Sequence, residues 1–466
     1  MLMDNMKRNK RNVLLAANIS YILVILDSSI VNVALPTIKE SLSLGVTTLQ
    51  WVVNAYLVLF ASLLLSGGAL CDRFGSKSVY ITGLGLFTLS SALCGISSEA
   101  AILLTGRVLQ GISAAILVPG SLALITHTYT DKTERTRAIA SWASWGGIAL
   151  VAGPVIGGWL TEYLSWRSIF LVNVPLCLAG IFLTLRVQSP EHEHKSLTMD
   201  IKGQLLLFLT IFLFIAGVIR LNDSPQINLN SVILLCLSLI IMTAFIVVER
   251  RSKAPMLPLE LFRRPNFSAI SWIFFSGAFS FFGAMFILTF WFQDIQHLSA
   301  TQTGMALLPL SISVILGNKV SGWLARRYQT SHMMIVGAMI RLVGFSGLLV
   351  TQFNNDYAYL FVPLVLIGFG GGLGSPMSTS LFMQSTPKQY TGVASGVSRA
   401  TGQIGSAFAV AVFGQMVNSE KLFVLNMKYA VITIIIATLS ILIINFLFVK
   451  NDIDEYHNSI TLKADK

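Results

Sequence analysis

Fourteen predominantly apolar stretches follow one another along this chain. Each is close to the ~20 residues that a helix needs to cross the hydrocarbon core of a bilayer. They run roughly over 13–36, 50–70, 78–96, 101–127, 136–161, 167–187, 202–220, 229–249, 267–292, 301–325, 332–351, 357–386, 392–418 and 427–449, separated by polar or Gly/Pro-containing turns. Lipid offers the backbone no hydrogen-bond partner, so each stretch is expected to be helical; a strand barrel would show short alternating segments instead. Of the 466 residues, 54% are hydrophobic and 11% charged, less than half the ~25% charge of a soluble domain. These figures exclude a soluble enzyme, a secreted disulfide scaffold, and a nucleic-acid binder built on the +11 net charge. The fold class is all-α and integral to the membrane.

The distribution of Lys and Arg tests the count of spans. With the N-terminus on the cytoplasmic side, 23 of the 32 basic residues fall inside. Five fall outside (Lys39, Arg167, Arg220, Lys421, Lys428) and four within spans (Arg107, Lys319, Arg341, Arg399). An inside excess is what membrane insertion demands, and a miscount by one span would scramble it. Both termini and the 188–201 and 250–266 links are therefore expected in the cytoplasm, in a multi-pass protein of the cytoplasmic membrane. The basic start (Lys7, Arg8, Lys10, Arg11) leads into a stretch too long for a cleaved signal, which reads as a retained first span.

An internal echo organises the spans. Ser66–Lys77 lies between spans 2 and 3, and Ser321–Tyr328 reads as a degraded copy of it between spans 10 and 11, with Arg326 where Asp72 stands. This predicts two six-helix halves, 1–187 and 267–450, of the parallel-repeat kind found in many transporters. Spans 7 and 8 (188–266 with their linkers) form an inserted pair expected at the periphery, and 451–466 is a cytoplasmic tail.

Few polar residues sit deep in these spans. Asp27 is about 14 residues into span 1, or ~21 Å along its axis. A charge at that depth is costly, so it is expected to line a polar cavity, load and release a proton, or pair with an embedded cation. Arg107, two turns into span 4, is the candidate partner. The other acids lie toward span ends: Glu162, Asp223, Asp294 and Asp356 on the outer side, and Asp72, Asp131, Glu134 and Glu249 on the cytoplasmic side.

Gly68 and Gly75 flank Asp72 and Arg73 in a short turn and would allow two helix ends to approach, with Lys77 close by. Gly153, Pro154, Gly157 and Gly158 predict close helix approach and a kink in span 5. In span 9, Phe275, Phe279, Phe282, Phe286 and Phe290 fall within about 80° on a helix. Such a stripe serves equally as packing or as an aromatic wall for flat or cationic hydrophobes.

Other patterns carry less. The glycines from Gly368 to Gly374 lie inside an apolar span, out of register for a nucleotide loop, and no Walker motif is present, so no ATP is implied. Cys71, Cys94, Cys177 and Cys236 show no paired spacing and read as core residues. Glu191-His192-Glu193-His194 reads as polar linker, and no metal is expected.

Several of these runs together resemble the major facilitator superfamily, and within it the fourteen-span drug:proton antiporters of bacterial multidrug efflux. Leu26–Pro36 (Leu-Asp-Ser-Ser-Ile-Val-Asn-Val-Ala-Leu-Pro) is similar to their first-span signature, with Ser29 where Thr is usual. Gly68-x-Leu70-Cys71-Asp72-Arg73-Phe74-Gly75-x-Lys77 matches the loop 2–3 motif, with Ser76 and Ser78 in place of basic residues. Leu103-x3-Arg107-x2-Gln110-Gly111 matches the fourth-span motif, and Gly153-Pro154-x2-Gly157-Gly158 the antiporter motif. Trp166-Arg167-x2-Phe170-x2-Asn173-Val174-Pro175 is similar to the sixth-span opening. These motifs cover the first half in order; the second half matches mainly in topology.

The resemblance implies the major facilitator fold and proton-coupled efflux of hydrophobic, often cationic drugs by alternating access, hence antibiotic resistance. Export of a specific metabolite, lipid or peptide is the alternative. It implies a secondary active transporter rather than an enzyme, with protons as the coupling ion and no other cofactor. Expected partners are small hydrophobic or cationic substrates, protons and membrane lipids, with neither nucleic acid nor ATP. By residue, it implies proton coupling at Asp27 and Arg107 and a gating latch at Gly68, Asp72, Arg73, Gly75 and Lys77. It also implies an antiporter hinge at Gly153, Pro154, Gly157 and Gly158. A substrate cavity is expected to include Asp27, Asn32, Phe275, Phe279, Phe282 and Phe286.

Overall fold

A computed structural model describes residues 2–187, 200–221, 228–252, 255–325, 327–349, 357–417 and 420–449. Among them are fourteen helices long and apolar enough to cross a membrane, one for each stretch read from the sequence. The described residues contain no strand. The 191–194 run, Arg326, Asp223 and Asp356 lie outside the described residues.

The chain divides into two compact units, and the division does not fall at the repeat boundary. The first unit comprises residues 1–256 with two later segments, 285–308 and 410–420. It holds span 1 (Met6–Ser41), span 2 (Val46–Phe74), span 3 (Ser76–Gly95), span 4 (Ala100–Thr128), span 5 (Lys132–Tyr163) and span 6 (Ser168–Leu185). The inserted pair, span 7 (Ile201–Leu221) and span 8 (Leu229–Arg251), also belongs to it. Span 7 packs on span 2 and span 8 on span 7, and most of both helices stays uncovered by protein. Phe212 of span 7 meets Trp51 of span 2 at 5.3 Å between ring centroids.

Spans 1, 4, 5 and 6 pack around one another, as do spans 2, 3 and 4. Span 6 is not one helix. It breaks at Val172 into Ser168–Leu171 and Asn173–Leu185. Pro175 sits in the first turn of the second piece, where the missing N–H leaves no intrahelical bond unmade. The break places the Asn173 side chain in the interior, fully buried.

Span 5 runs as one helix through Pro154. Its start is capped by Asp131, whose carboxylate accepts from the Glu134 backbone N–H at 2.8 Å.

The second unit comprises residues 257–284, 309–409 and 421–466. It holds most of span 9 (Pro265–Ile295), span 10 (Ala300–Leu324) and span 13 (Thr391–Val417), together with span 11 (Thr330–Leu348), span 12 (Ala358–Gln384) and span 14 (Leu425–Phe448). Spans 11 and 12 pack closely on each other. The Gly368–Gly374 run is their seam. A β-carbon at Gly370 would stand 2.4 Å from the Gly337 carbonyl oxygen, and one at Gly372 would stand 2.2 Å from that of Val314 in span 10.

Candidate functional site

Asp27 is fully buried (0% exposed) and Arg107 nearly so, at 1%. Arg107 Nη1 donates to Asp27 Oδ2 at 2.5 Å. The second carboxylate oxygen, Oδ1, accepts from Gln110 Nε2 at 3.1 Å and from Asn173 Nδ2 at 3.2 Å. Arg107 also donates Nε to the Val52 carbonyl at 2.9 Å and Nη1 to Gln110 Oε1 at 2.8 Å. Its guanidinium lies 4.4 Å from the Tyr56 ring centroid and 5.8 Å from that of Phe170. Ser91 completes the cluster, accepting from Gln110 at 2.9 Å and from Asn173 at 3.4 Å.

Five spans thus converge on one carboxylate, which span 1 supplies from deep inside the bundle. Gln110 stands at i+3 from Arg107, the spacing that puts both on one face of span 4. The pair is electrically neutral, and both its members are hydrogen-bonded, as a buried pair must be to persist. Protonating Asp27 removes the counter-charge and leaves a guanidinium buried alone. Removing one partner of a buried pair typically costs about 3–5 kcal/mol.

The sequence singled out Asp27 and Arg107 but gave no role to Gln110, Asn173, Ser91 or Tyr56. Gln110 and Asn173 stood inside recognised motifs and were findable there. Ser91 and Tyr56 carry no signal beyond being polar in apolar spans. Asn32 is buried and donates Nδ2 to the Ser28 carbonyl at 3.4 Å, one turn back on its own helix.

The span 9 phenylalanines are mainly packed. Phe279 and Phe286 are buried, whereas Phe275 and Phe282 are half-buried. Phe275 and Phe279 lie 5.9 Å and 5.4 Å from Phe408, and Phe286 lies 5.1 Å from Phe290.

The turn after span 2 differs in detail from expectation. Gly75 takes φ 84°, a conformation that favours glycine. Gly68 meets nothing: the close approach belongs to Gly67, where a β-carbon would stand 2.2 Å from the Ala115 carbonyl oxygen. Asp72 and Arg73 are exposed. Lys77 instead reaches the C-terminal end of span 6, donating to the Val187 carbonyl at 2.6 Å and to that of Leu185 at 3.4 Å.

The antiporter run is a contact surface. A β-carbon at Gly153 would lie 1.9 Å from Ser29 Oγ, and one at Gly157 would lie 2.8 Å from the Ile30 carbonyl oxygen. Gly158 faces the start of span 10, 2.2 Å from the Ala300 carbonyl oxygen by the same measure. Gly304 returns the contact, 2.3 Å from that of Pro154. Glu162 accepts from the Thr301 backbone N–H at 2.9 Å. On span 2, Gln50 donates to the Val410 and Ala411 carbonyls, both at 2.9 Å. Gln293 donates to the Val33 carbonyl, also at 2.9 Å. Segments 285–308 and 410–420 therefore close one end of the first unit. One further expectation is corrected: Cys236 is exposed rather than in a core. Glu249, toward the end of span 8, is buried.

Residues 17–410 match the profile of the Major Facilitator Superfamily. The chain belongs to this superfamily. Among curated relatives, the methylenomycin A resistance protein of Bacillus subtilis is 34% identical, over 87% of this chain and 87% of that protein. The cephamycin export protein of Amycolatopsis lactamdurans is 34% identical, over 86% and 83%. The multidrug resistance protein Stp of Mycobacterium tuberculosis is 32% identical, over 88% and 76%. A bacterial Spinster homologue of solved structure shares the fold, with a TM-score of 0.65 at 14% identity over 94% of this chain and 98% of that one. This superfamily member is an integral, multi-pass membrane transporter whose relatives are drug and antibiotic resistance and export proteins.

Proposed function

We propose that the protein exports hydrophobic compounds across the cytoplasmic membrane in exchange for protons, with both termini in the cytoplasm and alternating access of its two halves. The observation that carries this reading is the buried Asp27–Arg107 pair. There an acid and a base meet without water, held by Gln110 and Asn173. A proton arriving at Asp27 releases Arg107; its departure restores the pair. One proton crossing about 100 mV supplies ~2.3 kcal/mol, equivalent to roughly a fiftyfold concentration gradient, so modest efflux needs no further energy source.

The resistance and export names of the relatives support efflux. Preference for cations has less behind it, because Asp27 is engaged by Arg107 and most of the span 9 stripe packs on other rings. Hydrophobicity is therefore the property proposed for the substrate. In this reading the close approaches of Gly158 to Ala300 and of Gly304 to Pro154 form a seam that parts on the extracellular side, and the Asp72–Lys77 turn guards the cytoplasmic side.

Reconstitution tests it. Proteoliposomes loaded with ethidium should show pH-gradient-driven counterflow with wild-type protein, and none with Asp27→Asn at equal incorporation. Counterflow that ignores the pH gradient would refute proton coupling.

A further inference from the structure

Arg341 is a second embedded guanidinium, and it lacks what Arg107 has. It lies in the middle turns of span 11 and is 8% exposed. Nη2 donates to the Gly277 carbonyl of span 9 at 2.9 Å, and the Phe345 ring centroid lies 5.6 Å away. Nε has no hydrogen-bond partner, and Arg341 makes no ion pair among the described residues. Its own unit offers no acid at membrane depth. Segments 265–284, 309–324, 330–348, 358–384, 391–409 and 425–448 contain neither Asp nor Glu, yet they carry Lys319, Arg341, Arg399 and Lys428. A buried charge without a partner costs several kcal/mol, and embedded ionisable groups generally serve a pathway or a ligand.

The surroundings leave the guanidinium approachable. A β-carbon at Gly371 of span 12 would lie 3.7 Å from Arg341 Cδ and 3.9 Å from Nε, and one at Gly277 would lie 3.5 Å from Nη1. These are ordinary contact distances, so with glycine at both places no side chain stands against the guanidinium from spans 9 and 12 there. Both glycines are half-buried, and Ser375, one turn beyond Gly371, is exposed.

We infer that Arg341, framed by Gly277 and Gly371, binds the carboxylate group of those exported compounds that carry one. The inference rests on the efflux reading and adds hydrophobic monoanions to its substrates. A single charge balances one guanidinium, and the planar carboxylate matches its planar fork.

The test compares two fluorescent ligands on one scaffold, 1-pyrenebutyrate and 1-pyrenebutyramide, binding to the full-length purified protein. The carboxylate should bind wild type at least about tenfold more tightly, the scale of one charged hydrogen bond. Arg341→Gln should bring the ratio to about one, and Arg341→Lys should keep part of it. Gly371→Val retains the charge and fills the space beside Nε, so it too should lower the ratio; it decides the matter if Arg341→Gln fails to fold. Equal binding of both ligands by wild type, or a ratio unchanged in both Arg341→Gln and Gly371→Val, overturns the inference. Efflux is read separately in proteoliposomes. Export of the amide with no carboxylate preference refutes the anion site alone, whereas export of neither ligand nor ethidium refutes the efflux reading.

Discussion

Gly158 and Ala300 come so close that a β-carbon on the first would stand 2.2 Å from the carbonyl oxygen of the second. No side chain fits between these two backbones. Overpacking of this kind costs about 1–3 kcal/mol, roughly five- to 150-fold in an equilibrium between sealed and parted states. Gly158→Val should therefore favour the parted state. A cysteine at position 301 should then react faster with a membrane-impermeant maleimide applied from outside. An unchanged rate would show that this seam is not the extracellular closure.

Gln110 touches both members of the buried pair, Asp27 through Nε2 and Arg107 through Oε1. Gln110→Ala removes both contacts but leaves the ion pair. Each lost hydrogen bond to a charged group is worth about 1.5–3 kcal/mol. Ethidium-driven proton release should fall by tenfold or more while the protein remains inserted. Release at wild-type levels would assign Gln110 to packing alone.

Lys77 places its ammonium on the last carbonyls of span 6. A cation at a helix C-terminus contributes about 0.3–1 kcal/mol, so Lys77→Ala should lower the thermal midpoint of the purified protein by up to about one degree, and Lys77→Arg should restore part of it. A drop matched by Ser78→Ala, which removes an exposed neighbour, would mean that the cap contributes nothing.

Much of the architecture was legible because the bilayer imposes a single rule. An apolar run of sufficient length must be a helix, and all fourteen runs are. The ion pair was legible for a related reason: at membrane depth a lone carboxylate on span 1 needs a cation, and few were available. What the sequence left hidden depends on which helix faces which. The glycine that lets spans 2 and 4 touch is Gly67, but its neighbour Gly68 has the same composition and only the helix rotation separates them. The assignment of segments 285–308 and 410–420 to the first unit is equally invisible, because a repeat in sequence says nothing about contacts made across repeats. Arg341 stood out only as a basic residue inside a span, and its lack of an acid became meaningful once its surroundings were known.

The central claim is that Asp27 carries the proton exchanged for substrate. It is tested most directly by adding ethidium to purified protein in weakly buffered solution and recording proton release with a pH dye. Wild type should release protons in proportion to the ethidium bound, and Asp27→Asn, which keeps the side chain's shape without a titratable proton, should release none while still binding ethidium. Undiminished release from Asp27→Asn would contradict the account.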